Sequence, residues 1–301
     1  MDALITIFTP TYNRAYTLPK LYHSLCRQSR KDFKWLVVDD GSTDDTEAVI
    51  NGWQKDNFIE IIYFKQENQG KMCAHNLGVQ KCDTELFFCV DSDDFIVDDA
   101  VDTIISEWTK SPKCSKMCGL VAYKAIGHDG VYKIPSYFPF TGYSTLSYLY
   151  KNGFKGDTSL VFRTEVLKVF PFPVIHGERF ITEAYVYNQI DKKYELLLVD
   201  KALTMCEYMP DGYTSNEMIL RLKYPMGWYL FTLQELEDEK DPRRKKLLEA
   251  HAFSYFLMYK SKPYADKKYK CQKIRFTSKV YGFLLYVRRR IIYHKEIESL
   301  K

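Results

Sequence analysis

The sequence predicts an α/β protein, with a mostly parallel central sheet flanked by helices and a helical C-terminal extension. Short apolar runs recur at 3–8, 33–38, 60–64 and 86–90. Runs of that length read as strands buried on both faces. The stretches between them read as helices, and alternation of this kind is the pattern of a parallel sheet with crossover helices. The polar signatures all fall at the same end of that sheet, outside the carboxyl ends of the strands, where ligands bind in open α/β sheets.

The first run, Ala3 to Phe8, leads directly into Thr9-Pro10-Thr11-Tyr12-Asn13-Arg14. Tyr12 can stack on a planar ring and Arg14 can meet a phosphate, although a loop arginine is also often just solvated. The second run, Phe33 to Val38, ends in Asp39-Asp40-Gly41-Ser42-Thr43-Asp44-Asp45-Thr46. Gly41 permits a tight turn, and Ser42, Thr43 or Asp44 can cap the helix starting near Glu47. Asp39 is the carboxylate expected to accept a base N–H. Asn68-Gln69-Gly70-Lys71 reads as a turn running into a helix, whose amino terminus together with Lys71 favours an anion. Asn76 and Gly78, further along that helix, serve packing equally well. The fourth run, Leu86 to Val90, delivers Asp91, Asp93 and Asp94 to a sheet edge. Buried carboxylates there need a cation, and such oxygen ligands suit magnesium or manganese, with substrate phosphates completing the shell. Taken alone, the same fragment also fits a solvated turn capping the helix that begins near Asp98.

A chain of 301 residues accommodates one large domain with an appendage. Residues 118–163 mix short strands with aromatic loops, and 159–163, 195–199 and 204–208 read as further strands. Met209 to Asn216 is a turn rich in Pro and Gly signals. Helical spacing then runs over 217–239, broken at Pro225, and over 243–259. Arg243-Arg244-Lys245-Lys246 faces Glu235, Glu237, Asp238 and Glu239 as a salt-bridged helical pair. Residues 276–293 form an amphipathic helix with Arg288-Arg289-Arg290 interrupting it, too early for a membrane span. That stripe suits either packing on the chain's own core or lying on anionic lipid as a peripheral contact.

Forty-three basic against thirty-nine acidic residues imply no nucleic-acid partner. The eight cysteines have no CxxC pairing, and Cys26, Cys73, Cys82 and Cys89 read as buried thiols of a reducing cytosol. The amino terminus runs straight into a strand without a signal-peptide pattern. With the basic tail, the expected location is the cytoplasm, at the inner face of the plasma membrane.

The four segments 9–14, 38–44, 68–78 and 91–94 occur in the order found in the inverting family 2 glycosyltransferases of the GT-A fold. The chain resembles that family over roughly residues 1–210, most strongly over the first 110. The reading that follows is a GT-A domain over 1–214, with a nucleotide-binding half (1–110) and an acceptor half (111–214), then the helical extension 215–301. The resemblance implies that Thr9, Tyr12, Arg14, Asp39, Asp40, Asn68, Gly70, Lys71, Asn76, Asp91 and Ser92 surround a nucleotide-sugar. Asp91-Ser92-Asp93 would hold the ribose and a divalent metal, Mn2+ or Mg2+, with Asp93 as its ligand. His75 stands where the family commonly has arginine; Lys71 can supply that charge, or the histidine packs within its helix. The family's acceptor-side base lies in a Glu-Asp pair some eighty to a hundred residues beyond the metal motif. Here Gly177 to Tyr185 takes that place, with Ala184 for the second acid, Glu183 as the implied base, Glu178 in reserve and Thr182 as a cap. Asp211, Tyr213 and Thr214 fall in a loop that can close over the donor.

The implied reaction moves a hexosyl or N-acetylhexosaminyl group, with inversion, from a nucleoside-diphosphate donor, a UDP-sugar by preference. The acceptor is a hydroxyl of a glycan or polyprenyl-linked glycan, and the implied role is bacterial surface polysaccharide synthesis. Ala184 keeps a glycan-binding pseudoenzyme as the rival. A sugar-nucleotide pyrophosphorylase would open with a Gly-rich loop after its first strand, absent from 9–14, and a dinucleotide dehydrogenase would carry G-x-G-x-x-G there.

Overall fold

The computed structural model describes residues 3–112, 114–207, 209, 212 and 216–299. The chain divides into two compact units, Met1–Pro171 with Val186–Met209, and Phe172–Tyr185 with Pro210–Lys301. The sequence reading drew its boundary at 214/215, whereas the segment 172–185 clusters with the C-terminal helices.

In the first unit strand and helix alternate as β1 (Ile5–Thr11), α1 (Leu18–Cys26), β2 (Phe33–Asp39), α2 (Thr46–Asp56), β3 (Glu60–Lys65), α3 (Lys71–Lys81) and β4 (Leu86–Cys89). There follow β5 (Phe95–Ile96), α4 (Ala100–Lys110), β6 (Met117–His128), β7 (Val131–Lys133), β8 (Tyr143–Ser144), α5 (Leu146–Lys151), β9 (Thr158–Arg163) and α6 (Thr164–Val169). Helix α7 (Ala184–Asp191) and strand β10 (Glu195–Cys206) close the series. One sheet holds all ten strands, in the order β3-β2-β1-β4-β9-β6-β10-β5, with β7 on β6 and β8 on β10.

The first four strands are parallel, as the alternation requires. Beyond β4 the sheet is mixed: β9 runs antiparallel to both β4 and β6, while β10 runs parallel to β6. The stretches 195–199 and 204–208, expected as two strands, are one strand through Cys206, with register shifts between Leu198 and Ala202 and between Ala202 and Thr204. The register sets Thr11 opposite Asp39 and Asp39 opposite Lys65, so the loops after β1, β2 and β3 leave the sheet side by side.

The helices pack by their apolar spacing. Leu18, Leu21, Tyr22 and Leu25 of α1, and Ala100, Val101, Ile104, Ile105 and Trp108 of α4, are the buried apolar positions, the i, i+3/i+4 stripe that faces a core. On the same core Tyr22 stacks on Trp53, with ring centroids 4.2 Å apart. Helix α3 lies closest to the sheet at Gly78, where a Cβ would stand 2.3 Å from the Phe8 ring, itself stacked on Phe87. Gly78→Ala must therefore displace a packed aromatic ring. The expected cost is about 1–3 kcal/mol in denaturant unfolding, where an unchanged midpoint would show that α3 sits farther from β1. Of the four thiols expected to be buried, Cys82 is; Cys26, Cys73 and Cys89 are partly exposed, and none of the eight cysteines is in a disulfide.

The second unit consists of 172–185 and the helices α8 (Glu217–Lys223), α9 (Pro225–Asp238), α10 (Pro242–Lys260) and α11 (Phe276–Ser299). Pro225 opens α9, as a first-turn proline can because it has no N–H to leave orphaned. Met226, Trp228, Tyr229, Tyr255, Phe256 and Tyr259 build the core between α9 and α10. The expected ion pairing forms through Arg244, 2.9 Å from Glu239 and 3.5 Å from Glu235. Among the described residues no helix is long and apolar enough to cross a membrane.

Candidate active site

The loops after β1 and β2 are stitched together by short polar side chains. Asn13, in the left-handed region at φ 53°, donates its backbone N–H to Ser42 Oγ (2.8 Å), and its side-chain oxygen accepts from the Thr43 N–H (2.8 Å). Arg14 N–H donates to Thr46 Oγ1, and the two oxygens of Asp44 accept from Ala15 N–H and Thr46 N–H. Most of 42–46 is thus committed to fixing the loop that carries Tyr12 and Arg14. The Tyr12 side chain remains exposed, and Arg14 leans on Tyr16 with its guanidinium 5.7 Å from the ring centre.

Asp40 organises the next loop. One oxygen accepts from Gln66 Nε2 (2.7 Å) and Gln69 N–H (2.9 Å), the other from Gly70 N–H (2.7 Å). Gly70, at φ 96°, is the N-cap of α3, so this carboxylate sits at the positive end of the helix. Asp40→Asn turns one acceptor into a donor facing an N–H. We expect a stability loss on the order of 2 kcal/mol, accompanied by weaker nucleotide binding in calorimetry; full affinity would separate the 66–70 loop from the ligand.

The acidic loop lies just past β4, where Val90 N–H still donates to the Phe8 carbonyl and Asp94 N–H turns back to the Asp91 carbonyl. Lys71 Nζ, from the first turn of α3, is 2.6 Å from Asp91 Oδ1. Lys124 Nζ, from β6, is 2.7 Å from Asp94 and 4.0 Å from Asp91. Burial pushes the Asp91 carboxyl up, but the two ammonium groups outweigh it and hold it at about 2. Asp93 has the opposite balance: burial first, then the charges of Asp91 and Asp94, raise it to about 6. Burial lowers Lys124, and Asp94 and Asp91 more than restore its charge. Among the described residues no lysine or arginine is ion-paired with Asp93. Asp91 and Asp94 thus each have a lysine partner, while Asp93 lies beside two like charges with Arg14 as a more distant favourable one.

Several residues expected around the nucleotide are occupied by the fold itself. Thr9 is fully enclosed, and its hydroxyl accepts the Trp35 indole N–H (3.0 Å), so its side chain belongs to the core. Asp39 is also fully enclosed, with one oxygen accepting from Ser42 N–H and the other from the Tyr63 hydroxyl, both at 2.7 Å. Each oxygen keeps acceptor capacity beyond these bonds, while the side chain has no exposed surface in this structure. Ser92 is buried, and Asn68 and Asn76 are half-buried. His75 packs edge-on against Phe8 and Phe87, so its ring serves the α3–sheet contact. Asp211, Tyr213 and Thr214 lie outside the described residues.

The two candidate bases differ in kind. Glu178 is buried; Oε2 accepts from Met226 N–H (2.7 Å) in the first turn of α9, and Oε1 accepts from the Tyr264 hydroxyl (3.1 Å). That is a helix cap. Glu183 is half-buried and immediately precedes α7, and the Thr182 carbonyl accepts from Tyr185 N–H. Burial raises Glu178 from an ordinary 4.5 to about 7. An acid raised in the folded state stabilises it fully below the unfolded value, and the benefit is lost as pH climbs through the folded one. Thermal stability should therefore fall by on the order of 3 kcal/mol between about pH 4.5 and 7. Glu178→Gln should flatten that profile in pH-dependent melting; an unaltered slope would assign it to other groups.

Residues 6–170 match the model of glycosyl transferase family 2. The chain belongs to that family. A Campylobacter jejuni GalNAc(5)-diNAcBac-PP-undecaprenol beta-1,3-glucosyltransferase is 33% identical over 105 residues, covering 34% of this chain and 34% of that protein. The matched stretches span only 13–40% of the length of such curated relatives. Staphylococcus aureus TarS 1–349 in complex with UDP-GlcNAc superposes with TM-score 0.57 at 20% identity, covering 85% of this chain and 73% of that one. A mannosyltransferase from Pyrobaculum calidifontis in complex with GDP-Man and Mn2+ gives 0.53 at 16% identity, covering 100% and 81%. These structures share the GT-A fold, and the chain is a member of glycosyl transferase family 2 with that fold.

Proposed function

We propose that the chain transfers a sugar from a nucleoside-diphosphate donor, UDP-linked by preference, to a hydroxyl of a glycan or polyprenyl-linked glycan in surface polysaccharide synthesis. The observation that carries this is the Asp91–Asp94 loop, in which Lys71 and Lys124 pair with Asp91 and Asp94 while Asp93 has no lysine partner among the described residues. Among the described residues no three acidic, His or Cys side chains converge as a metal cage. A single carboxylate nevertheless fits Mn2+ or Mg2+ when phosphates supply other oxygens, and Asp93 is the residue that would hold the ion. When bound, the ion supplies positive charge to the departing diphosphate.

The protein's own part is preorganisation. Tyr12 presents an exposed ring for the base, the Asp40-anchored loop sets Asn68 and Gly70, and Asn76 lies one helical turn and more beyond Lys71. Asp91 and Ser92 take the ribose side, with Arg14 and Lys71 as the cations for phosphate oxygens. Glu183 is the general base that takes the acceptor proton, because Glu178 is committed to α9. A single displacement inverts the anomeric centre. The relatives' printed glucosyl and UDP-GlcNAc names support a hexosyl or N-acetylhexosaminyl group. Eight cysteines outside any disulfide suit a reducing compartment, which fits work at the cytoplasmic face of the plasma membrane.

The test is release of nucleoside diphosphate from UDP-, GDP- and dTDP-sugars, with and without manganese. Metal-dependent turnover of one donor is expected. Binding of nucleotide without turnover of any donor, even with polyprenyl-linked and free glycan acceptors, would favour the pseudoenzyme.

A further inference from the structure

Helix α11 turns Ser278, Gly282 and Arg289 toward α10, with Leu285 and Ile292 half-buried beside them. Ser278 is fully enclosed and its hydroxyl donates to Glu249 Oε2 (2.7 Å), which also pairs with Arg275 Nε (2.8 Å). Gly282 sits against the Ala250 carbonyl, where a Cβ would be 2.6 Å away. The Arg289 guanidinium lies 3.8 Å over the Tyr255 ring and 3.1 Å from His251 Nδ1. The opposite face carries Phe276, Val280, Phe283, Leu284, Val287 and Ile291, each between 40% and 80% exposed. At 3.6 residues per turn these six fall within an arc of about 100°. The sequence spacing suited this stripe either to the chain's own core or to anionic lipid; the structure turns it to solvent.

We propose that this face docks on an anionic lipid surface. On the same helical geometry Lys279 and Arg290 flank the stripe on one side and Arg288 on the other, and no acidic residue occurs between 276 and 294. From Lys260 onward the chain has thirteen Lys and Arg against three Asp and Glu. Apolar side chains rimmed by cations match an interface of acyl chains below anionic headgroups. A second copy of the helix would instead set like charges against like. Among the described residues no helix is long and apolar enough to cross a membrane, and α11 docked by this face would lie in the interface plane. This inference is independent of the transfer reaction.

The test is sedimentation of the full chain with phosphatidylcholine vesicles, and with phosphatidylcholine–phosphatidylglycerol vesicles at about 7:3. Binding to the anionic vesicles is expected, weakening at about 0.5 M salt. Phe283→Ser with Leu284→Ser, and separately Lys279→Glu with Arg288→Glu, should each lower the partition coefficient at least about tenfold. All four side chains are exposed, so melting temperatures should stay at the wild-type value, and the two variants remove different contributions if one fails to fold. Absence of binding to anionic vesicles, or equal binding by folded variants, overturns the proposal. So does a wild-type oligomer that Phe283→Ser with Leu284→Ser converts to monomer in sedimentation velocity, which would make the stripe a self-association face.

Discussion

Asp93→Ala abolishes metal-dependent donor turnover, by at least about 10²-fold, while the melting temperature holds or rises. Both halves follow from the charge balance of the loop. Asp91 and Asp94 have ammonium partners, so truncating either removes an ion pair from a half-buried lysine and destabilises the protein. Asp93 has burial and two like charges against it, so its removal relieves repulsion. Asp91→Ala is the informative contrast, since it removes the ion pair to Lys71, whose Nζ lies 2.6 Å from the lost oxygen. It should lower stability as well as turnover. The pair of variants is read by melting alongside nucleoside diphosphate release. An Asp93→Ala protein that unfolds early, or that turns donor over with metal at the wild-type rate, would contradict the assignment.

Glu183→Gln slows transfer to acceptor by about 10²–10⁴-fold and leaves donor binding and melting unchanged. The amide keeps size and most hydrogen bonding but cannot take a proton. Glu178→Gln behaves differently, because its carboxylate caps α9 through Met226 N–H and receives the Tyr264 hydroxyl. Its effect belongs to stability and its pH dependence, with transfer near normal at a pH where the variant is folded. Transfer kinetics and melting curves on both variants separate a base from a cap. Unchanged transfer in Glu183→Gln would remove it from the chemistry and place the acceptor base on another residue.

Local patterning made the nucleotide-binding half legible. Apolar runs followed at once by Asp39-Asp40 and by Asp91 to Asp94 announce strand ends, because a short buried run can deliver polar groups only where it leaves the sheet. Side-chain depth was not legible. Thr9 and Asp39 lie on motifs that point to a ligand, yet Trp35 and Tyr63, on neighbouring strands, take up their oxygens. Lys124 was missed altogether, although a lysine inside the apolar stretch Leu120 to Ala125 was a usable signal, since a buried ammonium requires acidic partners. Strand order beyond β4 depends on β9 inserting antiparallel, a tertiary choice that periodicity does not encode. For α11 the spacing gave the stripe but not its direction, which is decided by Ser278 and Gly282 fitting closely against α10.

The most direct measurement is a crystal structure grown with UDP and Mn2+, with anomalous scattering recorded for manganese. The predicted result is an anomalous peak coordinated by Asp93 and by diphosphate oxygens, with the uracil beside Tyr12 at the carboxyl ends of β1 and β2. UDP bound elsewhere on the chain, or manganese held by other carboxylates with Asp93 left aside, would contradict the assignment of this loop as the donor site.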